Sequence, residues 1–476
     1  MSSVFDQIRP SSVKFVPEST AIILNDKKIT YGELNSFVDK TVSLLLERGI
    51  KKNDPVTLLF NNSFEFIVAL LSLWETGAIP VPLNTKLLPQ DLQEQISFLN
   101  STFTIKSEEF KNVEITGNNT ILSLDDLPEK KSPNKNIIEP QSGDKTALIL
   151  FTSGSSGKPR AVMLSFENII QSALIGNKVL NQTKEDKWLS SLPIYHIGGF
   201  SIIFRALLFG ASTVIPVSLS ITDLGESIKK HKPTLVSLVS NQLKKFIDMN
   251  FVPPDELRTV LLGGGFSDKD LILQSVEQGW KIVKVYGSTE TSSFISFMDT
   301  DEVKKKPGAS GKVIQPNKIE ITTDGEITIQ SPVLMKGYFN NDEETANKVK
   351  DGYYYSGDMG YFDEEGYLFI EARRNDLIVS GGENINPAEV EKVILSHAQV
   401  KEACVVGIEN KEWGQILSSA IVLKENSRLS ETELKDFLKD KLPSFKIPRQ
   451  MIFVTQLPKS ELGKILKEEV KRLFNS

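Results

Sequence analysis

One cysteine, Cys404, and three histidines are all that this 476-residue chain offers toward disulfides, zinc sites or thiol nucleophiles. A single cysteine excludes an intrachain disulfide, and no Cys/His grouping has zinc-ligand spacing, so a reducing cytoplasm is the expected setting. A basic excess is missing too. The net charge of −6 argues against a nucleic-acid partner, which wants a basic face. The longest apolar runs, such as 66–74, fall well short of the roughly 20 residues a membrane span needs, so no stable membrane insertion is expected. The opening MSSVFDQIRP has no apolar core behind a basic start and gives no sign of a signal peptide. No self-similar period marks a repeat array.

Apolar residues are plentiful. At 40% hydrophobic, a chain of this length can bury a large core and divide into two or more domains. Apolar runs such as 55–60 and 234–239 alternate with helix-period stretches such as 31–48 and 63–73, the pattern of an α/β protein with largely parallel sheets. The polar stretch 129–145 reads as a surface connection. At 318–331 the sequence turns to short β alternation, with Asp324-Gly325 as a hairpin turn. Beyond Arg373 a second pattern predicts helix 387–397, strands 402–408 and 418–423, and helix 431–439.

The most specific stretch is 151–160, FTSGSSGKPR, directly after the apolar 147–150. Small and hydroxylated residues with two glycines behind a buried strand let backbone N–H groups turn toward one anion. The hydroxyls of Thr152, Ser153, Ser155 and Ser156 add donors and Lys158 adds charge, so polyphosphate is the natural ligand. The spacing is not that of a Walker A loop: two residues separate Gly154 from Gly157, and Pro159 follows the lysine. Standing alone, such composition more often means a flexible linker; the strand before it and the apolar 161–164 after it argue otherwise.

TSGSSGKPR resembles the phosphate loop of the adenylate-forming superfamily, which includes acyl-CoA ligases, luciferases and peptide-synthetase adenylation domains. Further similar motifs follow in family order: Tyr286-Gly-Ser-Thr-Glu290-Thr, Tyr355-Ser-Gly-Asp358, Arg373 in EARRNDLI, Gly381-Gly-Glu-Asn384, and Pro458-Lys-Ser-Glu-Leu-Gly-Lys464. The resemblance extends from Thr30-Tyr-Gly-Glu-Leu34 to about Lys467. It implies a large domain of mostly parallel sheets with a β-rich subdomain, residues 1–374, and a small mobile α+β domain, residues 375–476. The hinge falls near Arg374-Asn375, where Asn375 departs from the usual Asp or Lys.

The implied reaction uses ATP, Mg2+ and coenzyme A to convert a small carboxylic acid first to an acyl-adenylate and then to a thioester. By the same resemblance, Thr152, Ser153, Gly154, Ser155, Ser156, Gly157 and Lys158 hold the phosphates. Gly263, Gly264 and Gly265 run along the adenine, Tyr286 stacks on it, and Gly287, Ser288 and Thr289 complete the nucleotide contacts. Asp358 and Arg373 take the ribose hydroxyls and Glu290 holds Mg2+, a hard cation that a carboxylate beside a triphosphate requires. Lys464 serves the first step with a compact charge on a long stem. Gly381 and Gly382 line the thiol channel, where glycine permits close backbone approach, and His196 stands at the gate between acid and thiol. Each has a plainer reading in isolation: 289–291 as a helix start, Asp358 as a turn residue, Gly263–Gly265 as a tight turn, His196 as a core histidine, Lys464 as a surface lysine. A fused carrier domain is not expected, since only a dozen residues follow Lys464.

Within the superfamily the chain is most similar to the o-succinylbenzoate–CoA ligase family of menaquinone biosynthesis. The carrying residues are SLPIYHIGGFSIIFRALLFG with Arg205, Thr289-Glu-Thr-Ser-Ser293, and the run from Arg373 to Asn384. Ser288 replaces a common Met, Phe294 a common Gln, and Phe166 a His that many CoA ligases carry. The residues expected around the acid are His196, Phe200, Arg205, Ser240, Gly265, Ser292 and Phe294, with Arg205 or serines answering a second carboxylate. An aryl or medium-chain acid is the alternative substrate, and a catalytically silent nucleotide-binding homologue the alternative of another class. The oligomeric state, monomer or homodimer, stays open.

Overall fold

The computed structural model describes residues 16–117, 119–123, 143–152, 160–264, 269–373, 378–458, 465 and 467–474. Its largest sheet has nine strands, and the inner ones are the parallel apolar runs Thr259–Leu262, Leu235–Leu238, Lys187–Leu189, Ser212–Ile215 and Thr20–Leu24. Their residues are almost wholly buried, as strands covered on both faces must be. A second, four-stranded parallel sheet carries Pro55–Leu59 at its interior.

Local signals fix the helices between them. Thr30 and Glu33 close a capping box on Tyr31–Glu47, satisfying two orphan backbone N–H groups. Ser63 caps Phe64–Thr76, and Gly77 ends that helix at φ 75°. The expected α/β alternation is therefore present, with bounds shifted by a residue or a few.

The β alternation of 318–331 forms the hairpin Lys318–Ile321 and Glu326–Gln330. Thr322 Oγ1 donates to Asp324 Oδ1 at 2.6 Å, and Gly325 takes φ 87° to close the turn. Tyr353–Phe362, Leu368–Arg373 and Val349–Lys350 complete this sheet. A fourth sheet pairs Thr146–Thr152 with Arg160–Ser165, Thr152 standing opposite Arg160, and adds Gly337–Tyr338.

Residues 378–474 build their own sheet around the long antiparallel pair Val400–Asn410 and Gly414–Leu423. Alternate side chains serve two cores. Ala403 and Val405 pack with helices Pro387–Leu395 and Glu431–Lys439, while Cys404, Val406 and Ile408 pack with Leu457 and Val470. A sheet clothed on both faces explains why the middle of this strand, Ala403–Ile408, is buried without a break. Among the described residues no helix is long and apolar enough to cross a membrane.

Candidate active site

Two strands meet where the expected nucleotide motifs lie. Tyr286, near the end of Ile282–Ser288, donates its hydroxyl to Asp358 Oδ2 at 2.7 Å. Asp358 is buried in the strand Tyr353–Phe362, not in a turn, and stands opposite Arg373 in the neighbouring strand. Residues 289–292 form no helix. They turn directly into the antiparallel strand Ser293–Met298, held by Thr291 Oγ1, which accepts from the Ser288 N–H at 2.8 Å and donates to the Ser293 carbonyl at 2.8 Å. Gly287 is obligatory at this bulge, because a Cβ would sit 1.9 Å from the Ser293 carbonyl oxygen. Gly263 faces Val285 at a spot where a Cβ would come within 2.8 Å of Cγ2, and Gly264 holds φ 82°.

Glu290 occupies that turn and is buried. Tyr338 donates to its Oε1 at 3.1 Å, and the Met335 N–H donates to its backbone carbonyl at 2.8 Å. Tyr338 is paired with Val162, two residues past the start of the strand that follows 153–159. A short hydrogen-bonded path therefore connects the flank of the phosphate motif to the Glu290 carboxylate. Burial, reinforced by that carboxylate, pushes the Tyr338 phenol well above its ordinary range, so it stays a donor. Among the described residues no cluster of three or more His, Cys, Asp or Glu could hold a metal. A lone buried carboxylate of this kind suits Mg2+, which takes one or two protein carboxylates and completes its shell with phosphates and water.

The residues expected around the acid divide. Phe200 is core: it packs edge-on to Trp74 and stacked on Phe204. Ser292 is spent on the turn, at φ 51°, its hydroxyl donating to the Val333 carbonyl at 2.7 Å. Ser240 opens helix Ser240–Asp248. Arg205, in helix Ile197–Phe209, is 4% exposed, and its Nε and Nη2 meet no hydrogen-bond acceptor among the described residues. Its guanidinium carbon lies 4.5 Å from the centre of the Phe294 ring and 5.8 Å from that of Trp188. Burial draws its pKa down to about 9, which leaves it charged at neutral pH.

His196 precedes the same helix and meets the small domain. Its Nε2 lies 3.4 Å from Glu383 Oε2, and Lys86 Nζ donates to Glu383 Oε1 at 2.8 Å. Burial alone would raise the Glu383 carboxyl. His196 and then Lys86 outweigh it and hold the group at about 2. Gly381 and Gly382, at φ 59° and 86°, bring this loop against the large domain, where a Cβ on Gly382 would touch Val239 at 3.4 Å.

The AMP-binding enzyme family matches residues 11–339, and the AMP-binding enzyme C-terminal domain matches 389–464. The chain belongs to the AMP-binding enzyme family. This enzyme is 33% identical to the 2-succinylbenzoate–CoA ligase of Bacillus subtilis over 96% of both chains. A double mutant of the o-succinylbenzoate CoA synthetase of Bacillus subtilis bound to a product analogue, OSB-NCoA, superposes with TM-score 0.91. That comparison is at 32% identity and covers 99% of this chain and 98% of that one. The Bacillus subtilis synthetase with ATP and magnesium ion gives 0.74 at 32% identity, over 98% and 99% of the two chains. The arrangement of this enzyme is thus closer to the product-analogue complex.

Ser153, Gly154, Ser155, Ser156, Gly157, Lys158, Gly265, Lys464 and the hinge pair Arg374 and Asn375 lie outside the described residues, as does most of 129–145. Sequence reasoning passed over Tyr338, Lys86 and Gly176. Their partners lie 48, 297 and 118 positions away along the chain, a separation that carries no local signal.

Proposed function

We propose that this enzyme joins o-succinylbenzoate to coenzyme A with ATP, releasing AMP and pyrophosphate, in the cytoplasm. A substrate carboxylate oxygen attacks the α-phosphorus of ATP, and the bond from that phosphorus to the pyrophosphate oxygen breaks. The coenzyme A sulfur, after losing its proton to solvent, then attacks the acyl carbon, and the carbon–oxygen bond to AMP breaks. Carboxylates are poor electrophiles, so the mixed anhydride supplies the leaving group. The protein's contribution is charge neutralisation, alignment and exclusion of water.

In this reading Thr152 and residues 153–158 cradle the phosphates, Asp358 and Arg373 take the ribose, and Tyr286 braces both base and Asp358. Mg2+, bound with the phosphates, would neutralise their charge. Glu290 is the residue to hold it, with one carboxylate oxygen already steadied by Tyr338. Lys464 serves the adenylation step from the small domain, 375–476, and the Glu383 loop serves the thiol step. The likeness to the product-analogue complex supports the latter assignment.

The observation that carries the substrate is Arg205. An unpaired charge buried this deeply is costly unless something anionic completes it. A dicarboxylate provides that something: one carboxylate at the phosphorus, the other at the guanidinium. The test is Arg205→Met with o-succinylbenzoate and with benzoate. Loss of a charge-assisted hydrogen bond should raise KM for o-succinylbenzoate about 10- to 100-fold and leave benzoate unchanged. An equal effect on both acids, or none, would favour an aryl or medium-chain acid instead.

A further inference from the structure

Arg205 is held in a manner that sets it apart from ordinary buried arginines. Such groups are normally locked by a carboxylate fork or by backbone carbonyls. Here, among the described residues, neither Nε nor Nη2 has an acceptor, and flat aromatic rings take the place of polar partners. Phe294 lies closest, its ring centre 4.5 Å from the guanidinium carbon, a distance at which the ring face attracts a desolvated cation. The ring consumes none of the N–H donors, so the fork stays available for an anion.

Phe294 is itself placed by a glycine. Gly176 stands in the interior of helix Phe166–Leu180, where glycine is less favourable than alanine. A Cβ there would come within 2.8 Å of Phe294 Cζ and 3.3 Å of Cε2. The helix is otherwise sound, with Ser165 capping it and Ser172 Oγ donating to the Ser292 carbonyl at 2.6 Å just ahead of Phe294. The missing side chain makes room for the ring, which supplies the three atoms nearest to that position.

We propose that Phe294 and Gly176 are positioning residues of the acid site: the glycine seats the ring, and the ring fixes the Arg205 fork for the substrate's second carboxylate. This rests on the proposed substrate reading, and it makes Phe294 a determinant of dicarboxylate preference instead of a wall for a plain acid. Neither residue touches the reacting atoms.

The experiment measures binding of o-succinylbenzoate and of benzoate by calorimetry, and KM for both acids, in the wild type, Phe294→Leu, Gly176→Ala and the double variant. Leucine keeps the site apolar but removes the flat face; alanine keeps the helix but displaces the ring. Each single variant should weaken o-succinylbenzoate about tenfold while leaving benzoate and the KM for ATP unchanged. The double variant should match Phe294→Leu alone, since the smaller side chain relieves the clash and the two changes act through one contact. Equal weakening of both acids, unchanged dicarboxylate preference, or strictly additive losses would overturn the positioning role. A wild type that does not favour o-succinylbenzoate over benzoate would instead overturn the substrate reading, and with it this one.

Discussion

Replacing Glu383 by Gln separates the two half-reactions. The carboxylate is buried at the junction of the two domains, 2.8 Å from Lys86 and 3.4 Å from His196, and is held at about 2 against an ordinary 4.5. A displacement of that size corresponds to about 3 kcal/mol favouring the charged group in this arrangement. Glutamine keeps the shape and loses the charge. Since Lys86 is half exposed and its share is screened by solvent, about half of that energy is expected to disappear. Thioester formation from supplied acyl-adenylate should then slow roughly tenfold or more. ATP–pyrophosphate exchange, which does not need this arrangement, should be unchanged. The sign follows from the lowered pKa: the carboxylate's charge is present above about 4.5 and is lost as pH falls toward 2. Equal slowing of both half-reactions would refute the assignment of this contact to the thiol step.

Four other substitutions test the remaining contacts. Tyr286→Phe removes the 2.7 Å hydrogen bond to Asp358 and should weaken ATP by about 1–2 kcal/mol, read as KM for ATP, with the acid KM unchanged. Tyr338→Phe frees Glu290 Oε1 and should raise the Mg2+ concentration needed both for pyrophosphate exchange and for thermal stabilisation by ATP. Gly287→Ala drives a Cβ into the Ser293 carbonyl and should cost several kcal/mol of stability, seen as a lower melting temperature or loss of soluble protein. Lys464→Ala should suppress pyrophosphate exchange while sparing thioester formation from supplied adenylate, the reverse of Glu383→Gln.

Periodicity made most of the fold legible. The helix-period stretches 31–48 and 63–73 correspond to helices Tyr31–Glu47 and Phe64–Thr76, and the Asp324-Gly325 turn joins the expected hairpin. The plainer reading of 289–291 as a helix start does not hold: acidic residues favour first turns, but pairing of Ser293–Met298 back onto Ile282–Ser288 leaves room only for a tight turn. Phe200 shows a similar limit. It was expected around the acid, but its ring packs against Trp74, which is far off in the chain, and against Phe204. The link from Lys86 to Glu383 joins distant segments, and only the folded chain brings them within a hydrogen bond.

The central claim is met most directly by CoA-dependent AMP release with ATP and Mg2+, using o-succinylbenzoate beside benzoate, medium-chain fatty acids and a blank without acid. Strong turnover is expected with o-succinylbenzoate, far above a weak but measurable turnover with benzoate and with the fatty acids. Turnover with the plain acids and none with o-succinylbenzoate would contradict it, and would leave the charge of Arg205 to be explained without a dicarboxylate.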